Sequence, residues 1–385
     1  MESSATASKP FISGPANGSA PKLNLLPSLL VSRGVTIRGI VQGRACGKLL
    51  RGPGFPYYST VMILITGGTG FIGSHLVEAV CARGEPLRCL IRRDSFKRHP
   101  FVLPAKAELV FGDLVSGEGL TDALEGAGTV IHVAGVTKAL STGEFYSGNA
   151  RATENLARAV AGSGVRLVHV SSLAAIGPST DGTPVSDDAK PHPVTHYGRS
   201  KLEAERIARA LVPDAVIVRP AVVYGPRDTD VLEMFRSISR GFVLEISGGE
   251  RWFQAIYVKD LADGLLAAAC TPQAGGRAYF LAHAEAVSWS ELSFAAARIM
   301  RKRTRVLRIP SPLAYAVGGF AEVCSRFTRK PVVISREKVK EAQCRHWTCD
   351  TRRAAQELGF EAQTPLELGL AQTLAWYKEV GWLKY

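Results

Sequence analysis

VMILITGGTGFIGSHLVEAVCAR, residues 61–83, is the stretch on which the fold turns. Residues 61–66 form a short apolar run that suits one buried strand. Past the glycines, Leu76, Val77 and Val80 recur at the spacing of one helix face. Strand, glycine turn and helix therefore follow one another. In the turn, Gly67 and Gly70 permit a tight bend and a close approach of backbone to a pyrophosphate, while Gly73 lets helix and strand pack closely. A phosphate held there would lie at the helix N-terminus, where unpaired N–H groups and the helix dipole favour negative charge.

Working outward, further apolar runs come at the rhythm of an α/β fold: Leu87–Ile91, 107–111, 129–133, Arg166–Val170 and 215–218, with helical stretches between them. This alternation predicts a doubly wound parallel sheet covered on both faces, with ligands gathered at the C-terminal ends of the strands. Asp113, Ala134, Gly135, Ser171 and Ser172 stand at those ends. The second run ends on Ile91, Arg92 and Arg93, where an NAD-selecting carboxylate would normally stand. Two guanidiniums there favour a 2′-phosphate and hence NADP, and Asp94 just beyond leaves NAD as the alternative.

The chemistry is read from HYGRSK, residues 196–201, which continues as a helical segment. Tyr197 and Lys201 are four apart and so share a helix face. An adjacent ammonium favours the phenolate and is expected to bring the phenol, ordinarily near pKa 10, toward the working range. Such a pair alone is a common surface feature. Ser172, at the end of the Arg166–Val170 strand, supplies a hydroxyl to hold a substrate oxygen, with Ser171 as the alternative assignment.

These pieces together resemble the extended short-chain dehydrogenase/reductases, the NAD(P)-dependent epimerase/dehydratase superfamily. The matching segments are TGGTGFIG at 66–73, GDL at 112–114, HVAG at 132–135, VSS at 170–172, YGRSK at 197–201, RPAVVYGP at 219–226 and YVKDLADGL at 257–265. The resemblance implies a Rossmann domain with a smaller C-terminal α/β substrate lobe. It puts Gly67, Gly70 and Gly73, with Phe71 and Ile72, at the pyrophosphate, Arg92 near the adenosine phosphate, Asp113 and Leu114 beside adenine, and Ala134 along the cofactor. Ser172, Tyr197 and Lys201 become the catalytic set, Tyr197 and Lys201 also touching cofactor, and Pro220 and Val223 border the nicotinamide. Asn149 is placed near the substrate or a proton-relay water.

The sugar-nucleotide 4,6-dehydratases of this superfamily resemble one another in carrying an acidic pair after the catalytic Ser/Thr, where this chain has Leu173 and Ala174. The LRCLIR pattern at 87–92 is closer to the dihydroflavonol-reductase and 3β-hydroxysteroid-dehydrogenase relatives. The expected activity is thus hydride exchange with a hydroxyl or carbonyl of a small molecule. A nucleotide-sugar epimerase is the alternative, and a non-catalytic cofactor-binding assembly or RNA-associated protein is the non-enzyme reading.

Of the net charge of +13, six arise in residues 1–61, which hold seven Lys/Arg against Glu2 alone. The remaining charge is spread through mixed helices without a nucleic-acid motif, so no nucleic-acid partner is expected. Residues 1–60, rich in Ser, Gly and Pro, read as a disordered extension or a start called too early, with an organelle transit peptide as the other account. Residues 61–225 with 251–272 are assigned to the dinucleotide domain, and 226–250 with 273–385 to the substrate lobe. Seven cysteines without CxxC or zinc spacing fit a reduced, cytoplasmic setting and no metal. No run is long enough to span a membrane. The nearest, 312–324, reads as a buried or surface-lying helix, and the basic residues after it admit a peripheral membrane contact. A homodimer is compatible with this organisation.

Overall fold

The first apolar run forms β1 (Met62–Thr66), and the glycine turn leads into α1 (Phe71–Ala82). A computed structural model describes residues 61–98, 103–328 and 335–385, so the expectation for residues 1–60 lies outside the described residues. Strands β2 (Leu87–Ile91), β3 (Glu108–Phe111), β4 (Ala127–His132), β5 (Arg166–Val170) and β6 (Val216–Pro220) follow at the expected runs, with helices α2 (Ala152–Val160) and α3 (His196–Leu211) among them. Then come β7 (Val222–Tyr224), α4 (Asp230–Ser239), β8 (Phe242–Ile246), β9 (Trp252–Tyr257), α5 (Val258–Cys270) and β10 (Ala278–Leu281). Seven strands make one parallel sheet in the order β10-β6-β5-β4-β1-β2-β3. The reversal of direction beside β1 is the switch point at which such sheets bind dinucleotides.

Successive residues of β1 serve opposite faces, as the period of two requires. Ile65 packs with Leu76, Val77 and Val80 of α1 and Leu261 and Leu265 of α5, whereas Leu64 packs with Leu156 and Val160 of α2 and Ala208 of α3. Covered on both sides, β6 is buried along its whole length, which is why its sequence is a continuous run and not an alternating one.

The second lobe joins β7, β9, β11 (Ala286–Ser288) and β13 (His346–Trp347) in a small sheet, while β8 pairs in parallel with β12 (Arg305–Ile309). Around them lie α6 (Trp289–Ile299), α7 (Ser311–Thr328), α8 (Arg336–Gln343) and α9 (Leu366–Glu379). Leu370, Leu374 and Tyr377 of α9 fill the lobe's core with Phe235 and Leu292, so the aromatic C-terminal helix serves packing. The boundary differs from the expected one in three strands. β7, within 61–225, and β9, within 251–272, belong to the second lobe's sheet, and β10, within 273–385, is the seventh strand of the main sheet. With four residues, all buried, β10 is too short to show a period that would distinguish it. Among the described residues no helix is long and apolar enough to cross a membrane.

Candidate active site

The glycine turn is shaped by close approach. Gly67 sits at φ 76°, and a Cβ on it would stand 2.6 Å from the Ala134 backbone nitrogen. A Cβ on Gly73 would lie 2.1 Å from the Gly67 carbonyl oxygen, so the helix can press on the turn only because no side chain intervenes. Gly70 caps α1 without a side-chain acceptor, and the first turn carries no acid. These residues fit a bound pyrophosphate, whose charge meets the helix N-terminus. Behind the turn runs a buried chain. The Thr153 hydroxyl donates to the Asn149 carbonyl at 2.7 Å, so it accepts from His132 Nε2–H at 3.0 Å, and His132 Nδ1 in turn accepts from the Thr66 hydroxyl at 2.7 Å.

A cleft of about 1300 Å³ opens along the C-terminal edge of the sheet. Gly67, Gly70, Phe71, Ile72, Gly73, Arg92, Asp113, Leu114, Ala134, Ser172, Tyr197, Pro220 and Val223 all line it. Of the two arginines after β2, Arg92 faces the cleft beside Ser95, while Arg93 stacks on Phe111 with its guanidinium 4.5 Å from the ring centre. The Asp113 carboxylate accepts the Val115 N–H at 2.7 Å and fixes the bend after β3. Asn149 and Lys201 are not part of the lining. The Asn149 amide is occupied on both sides, accepting from Val136 N–H at 2.7 Å and donating to the Val136 carbonyl and Ser200 Oγ at 3.0 and 2.9 Å. It clamps the loop after β4 to α3.

Ser172 and Tyr197 are brought together by two short caps. Ser172 accepts the Ala174 N–H at 3.1 Å and starts a single turn, Leu173–Ala175. Thr195 accepts the Gly198 N–H at 3.1 Å and starts α3, placing Tyr197 in its first turn. A Cβ on Gly198 would fall 2.2 Å from the Ala174 carbonyl oxygen, so the two caps touch only through glycine. The Ser172 hydroxyl acts on the Tyr197 phenol and lowers its pKa. Ser171, the alternative assignment, is buried, and among the described residues its hydroxyl has no hydrogen-bond partner.

The electrostatics correct one expectation. Burial raises the Tyr197 phenol above its ordinary value, and the groups that oppose the rise are Ser172 and the ammonium of Lys338. Lys201 does not depress it, because its ammonium turns to the end of β5 and donates to the Val170 carbonyl at 2.7 Å. Burial pushes Lys201 itself down to about 8, against the pull of Glu205. Lys338 and Glu341, joined at 2.8 Å on α8, line the cleft, as do Trp252, Phe253, Trp289 and Trp347 of the second lobe. Sequence reasoning missed all of these. They reach the site through tertiary packing from far along the chain, and only the density of tryptophans after residue 250 could have marked them.

Fold and cleft define a class: a dinucleotide-binding enzyme of the extended short-chain dehydrogenase type. Residues 63–282 match the family described as "NAD dependent epimerase/dehydratase family", and the chain belongs to that family. The ceramide reductase of Caulobacter vibrioides is 34% identical over 322 residues, which span 84% of this chain and 96% of that protein. The N-acetyl-alpha-D-glucosaminyl-diphospho-ditrans,octacis-undecaprenol 4-epimerase of Escherichia coli is 25% identical over 323 residues, 81% and 94% of the two chains. Among solved structures, MoeE5 in complex with UDP-glucose and NAD is similar with a TM-score of 0.66 and 27% identity, over 83% of this chain and 99% of that one. The chain is therefore a nicotinamide-dependent oxidoreductase or epimerase.

Proposed function

We propose that this chain is an NADPH-dependent reductase of a bulky, largely apolar ketone, acting through Ser172, Tyr197 and Lys201. The observation that carries the reading is one cleft in which the Ser172–Tyr197 pair lies between the glycine turn and a wall of Leu244, Ile246, Trp252, Phe253, Trp289 and Trp347. Such a wall suits apolar substrate surface. A sugar nucleotide would need matched polar partners for each hydroxyl it buries. The reductase among the relatives is also nearer, at 34% identity, than the epimerase at 25%.

Gly67, Gly70 and Gly73 would hold the pyrophosphate, Asp113 and Leu114 the adenine, and Arg92 the 2′-phosphate that separates NADP from NAD. Ala134, Pro220 and Val223 would border the rest of the cofactor, with Tyr197 and Lys201 at the nicotinamide ribose. The bound nicotinamide supplies the hydride. Ser172 holds the substrate oxygen, and Tyr197 delivers the proton to it. Because burial keeps the phenol protonated through neutral pH, Tyr197 starts the cycle as an acid, which is the state that ketone reduction requires. The phenolate left behind is favoured by the Lys338 ammonium across the cleft. Asn149 acts indirectly, holding the loop that carries Ala134 and Gly135 against α3.

Tyr197→Phe tests this. Turnover of a ketone found by screening should fall about a hundredfold or more, while NADPH affinity and Tm barely move. Near-normal turnover in that variant would remove the mechanism and leave only the fold.

A further inference from the structure

Helix α7 is turned inside out. Its inner side, against α8, is made of small and polar residues: Ala314, Gly318 and Ser325 are buried, and a Cβ on Gly318 would meet the Ser335 backbone at 2.9 Å. Glu322 faces the same way and holds Arg336 through its backbone N–H and its Nε, both at 2.8 Å. Its large apolar residues point outward instead. Leu313, Val317, Phe320, Val323 and Phe327 follow one another at three- and four-residue steps along one stripe, and Phe320 and Phe327 are 71% and 85% exposed. A surface helix of an ordinary globular protein presents the opposite arrangement.

The ribbon that precedes α7 in the chain also carries exposed apolar residues. Leu244 of β8 and Leu307 of β12 are paired in register, and both are exposed. From residue 301 to 321 the chain carries Arg301, Lys302, Arg303, Arg305 and Arg308, all exposed, and no acid. Apolar stripe and cationic rim are thus contiguous in the chain. Leu244, Ile246 and Arg308 also line the cleft, so this face borders its mouth.

We propose that α7 and the β8–β12 ribbon dock this enzyme on an anionic lipid bilayer, with the stripe in the acyl boundary and the arginines among the headgroups. The helix has 18 residues and does not qualify as a span, so it would lie in the interface plane. A second copy of the chain is a poorer occupant. A two-fold contact places the same patch on both partners, which would set one cationic rim against another. An anionic bilayer supplies both the apolar layer and the compensating charge.

Flotation of the full chain with vesicles decides the matter. The protein should float with phosphatidylcholine vesicles containing about one-third phosphatidylglycerol and much less with phosphatidylcholine alone. Phe320→Ser with Phe327→Ser, and separately Arg303→Glu with Arg305→Glu, should each lower partitioning about tenfold, with NADPH binding and Tm unchanged. No flotation of the native chain would overturn the proposal. So would native-like flotation of the Phe variant, which would assign binding elsewhere, the basic first sixty residues included. A native dimer that the Phe variant converts to monomer, with vesicle binding intact, would show that a second copy covers the face. Flotation needs no turnover, so this result is separate from the fate of the proposed reaction.

Discussion

Burial and charge pull the Tyr197 phenol in opposite directions, and burial prevails. Lys201, 4% exposed and pushed down to about 8, is the group whose charge changes near the working range. In the reaction we propose, its ammonium, held on the Val170 carbonyl, serves the bound ribose and must be charged to do so. Ketone reduction should therefore hold steady below pH 8 and decline above it as the ammonium loses its proton. Lys201→Arg, which keeps its charge, should move that decline to higher pH, and an unchanged profile would remove Lys201 from the chemistry. Arg92→Ser should weaken NADPH about tenfold or more and leave NADH nearly untouched, the scale of one lost charge-assisted contact; equal losses in fluorescence titrations would deny Arg92 the 2′-phosphate. Ser172 and Tyr197 were legible because a strand end and a helix start are local features. The source of the cation facing Tyr197 was not legible. Lys338 arrives on α8, and nothing in the sequence around it announces that neighbour.

At the scale of elements, α3 is tied to β6 by a buried ion pair. Arg219 Nε and Nη2 donate to the two Glu205 oxygens at 3.0 and 2.7 Å, and Nη1 donates to the Asp187 carbonyl at 2.7 Å. Both side chains are nearly inaccessible, at 6% and 3%. Removing one partner strands the other charge, so Glu205→Leu should cost about 3–5 kcal/mol in urea unfolding. The double change with Arg219→Met should cost less than that single change, because no charge is left unpaired; simple additivity would contradict the pairing. The main strands were legible for the same reason that they are stable: burial on both faces selects unbroken apolar runs. The three-residue strands β7 and β11 and the two-residue β13 were not, since so few residues carry no period, and their pairing is dictated by the packing of the lobe.

Over the whole molecule, three buried histidines make stability depend on pH. On α1, His75 Nε2–H donates to the Pro226 carbonyl at 2.9 Å; His132 and His169 lie side by side on β4 and β5, ring centres 5.3 Å apart. Burial holds His75 down to about 4 and His132 to about 3, and holds His169 well below 6.5. In the unfolded chain each takes up a proton below its ordinary value, so near pH 5 unfolding binds about three protons from this source. Two carboxyls act in the opposite sense. Burial pushes Asp187 up to about 6 and Asp228 to about 7, so near pH 5 the native state keeps two protons that unfolded carboxyls, at 3.8, have released. Asp181, Asp188 and Asp350, held below 3.8 by their hydrogen bonds, enter only at lower pH. Among the described residues the unfolded state thus binds about one proton more than the native. Stability should accordingly fall with falling pH around pH 5. His169 offers the cleanest test, because neither of its ring nitrogens has a hydrogen-bond partner among the described residues and Phe fills similar space. His169→Phe removes one of the three protons, so the slope of unfolding free energy against pH, from urea curves between about pH 4.5 and 5.5, should flatten toward zero. A variant slope as steep as the native one would mean that His169 already carries its proton in the folded protein, which its burial beside Lys201 opposes.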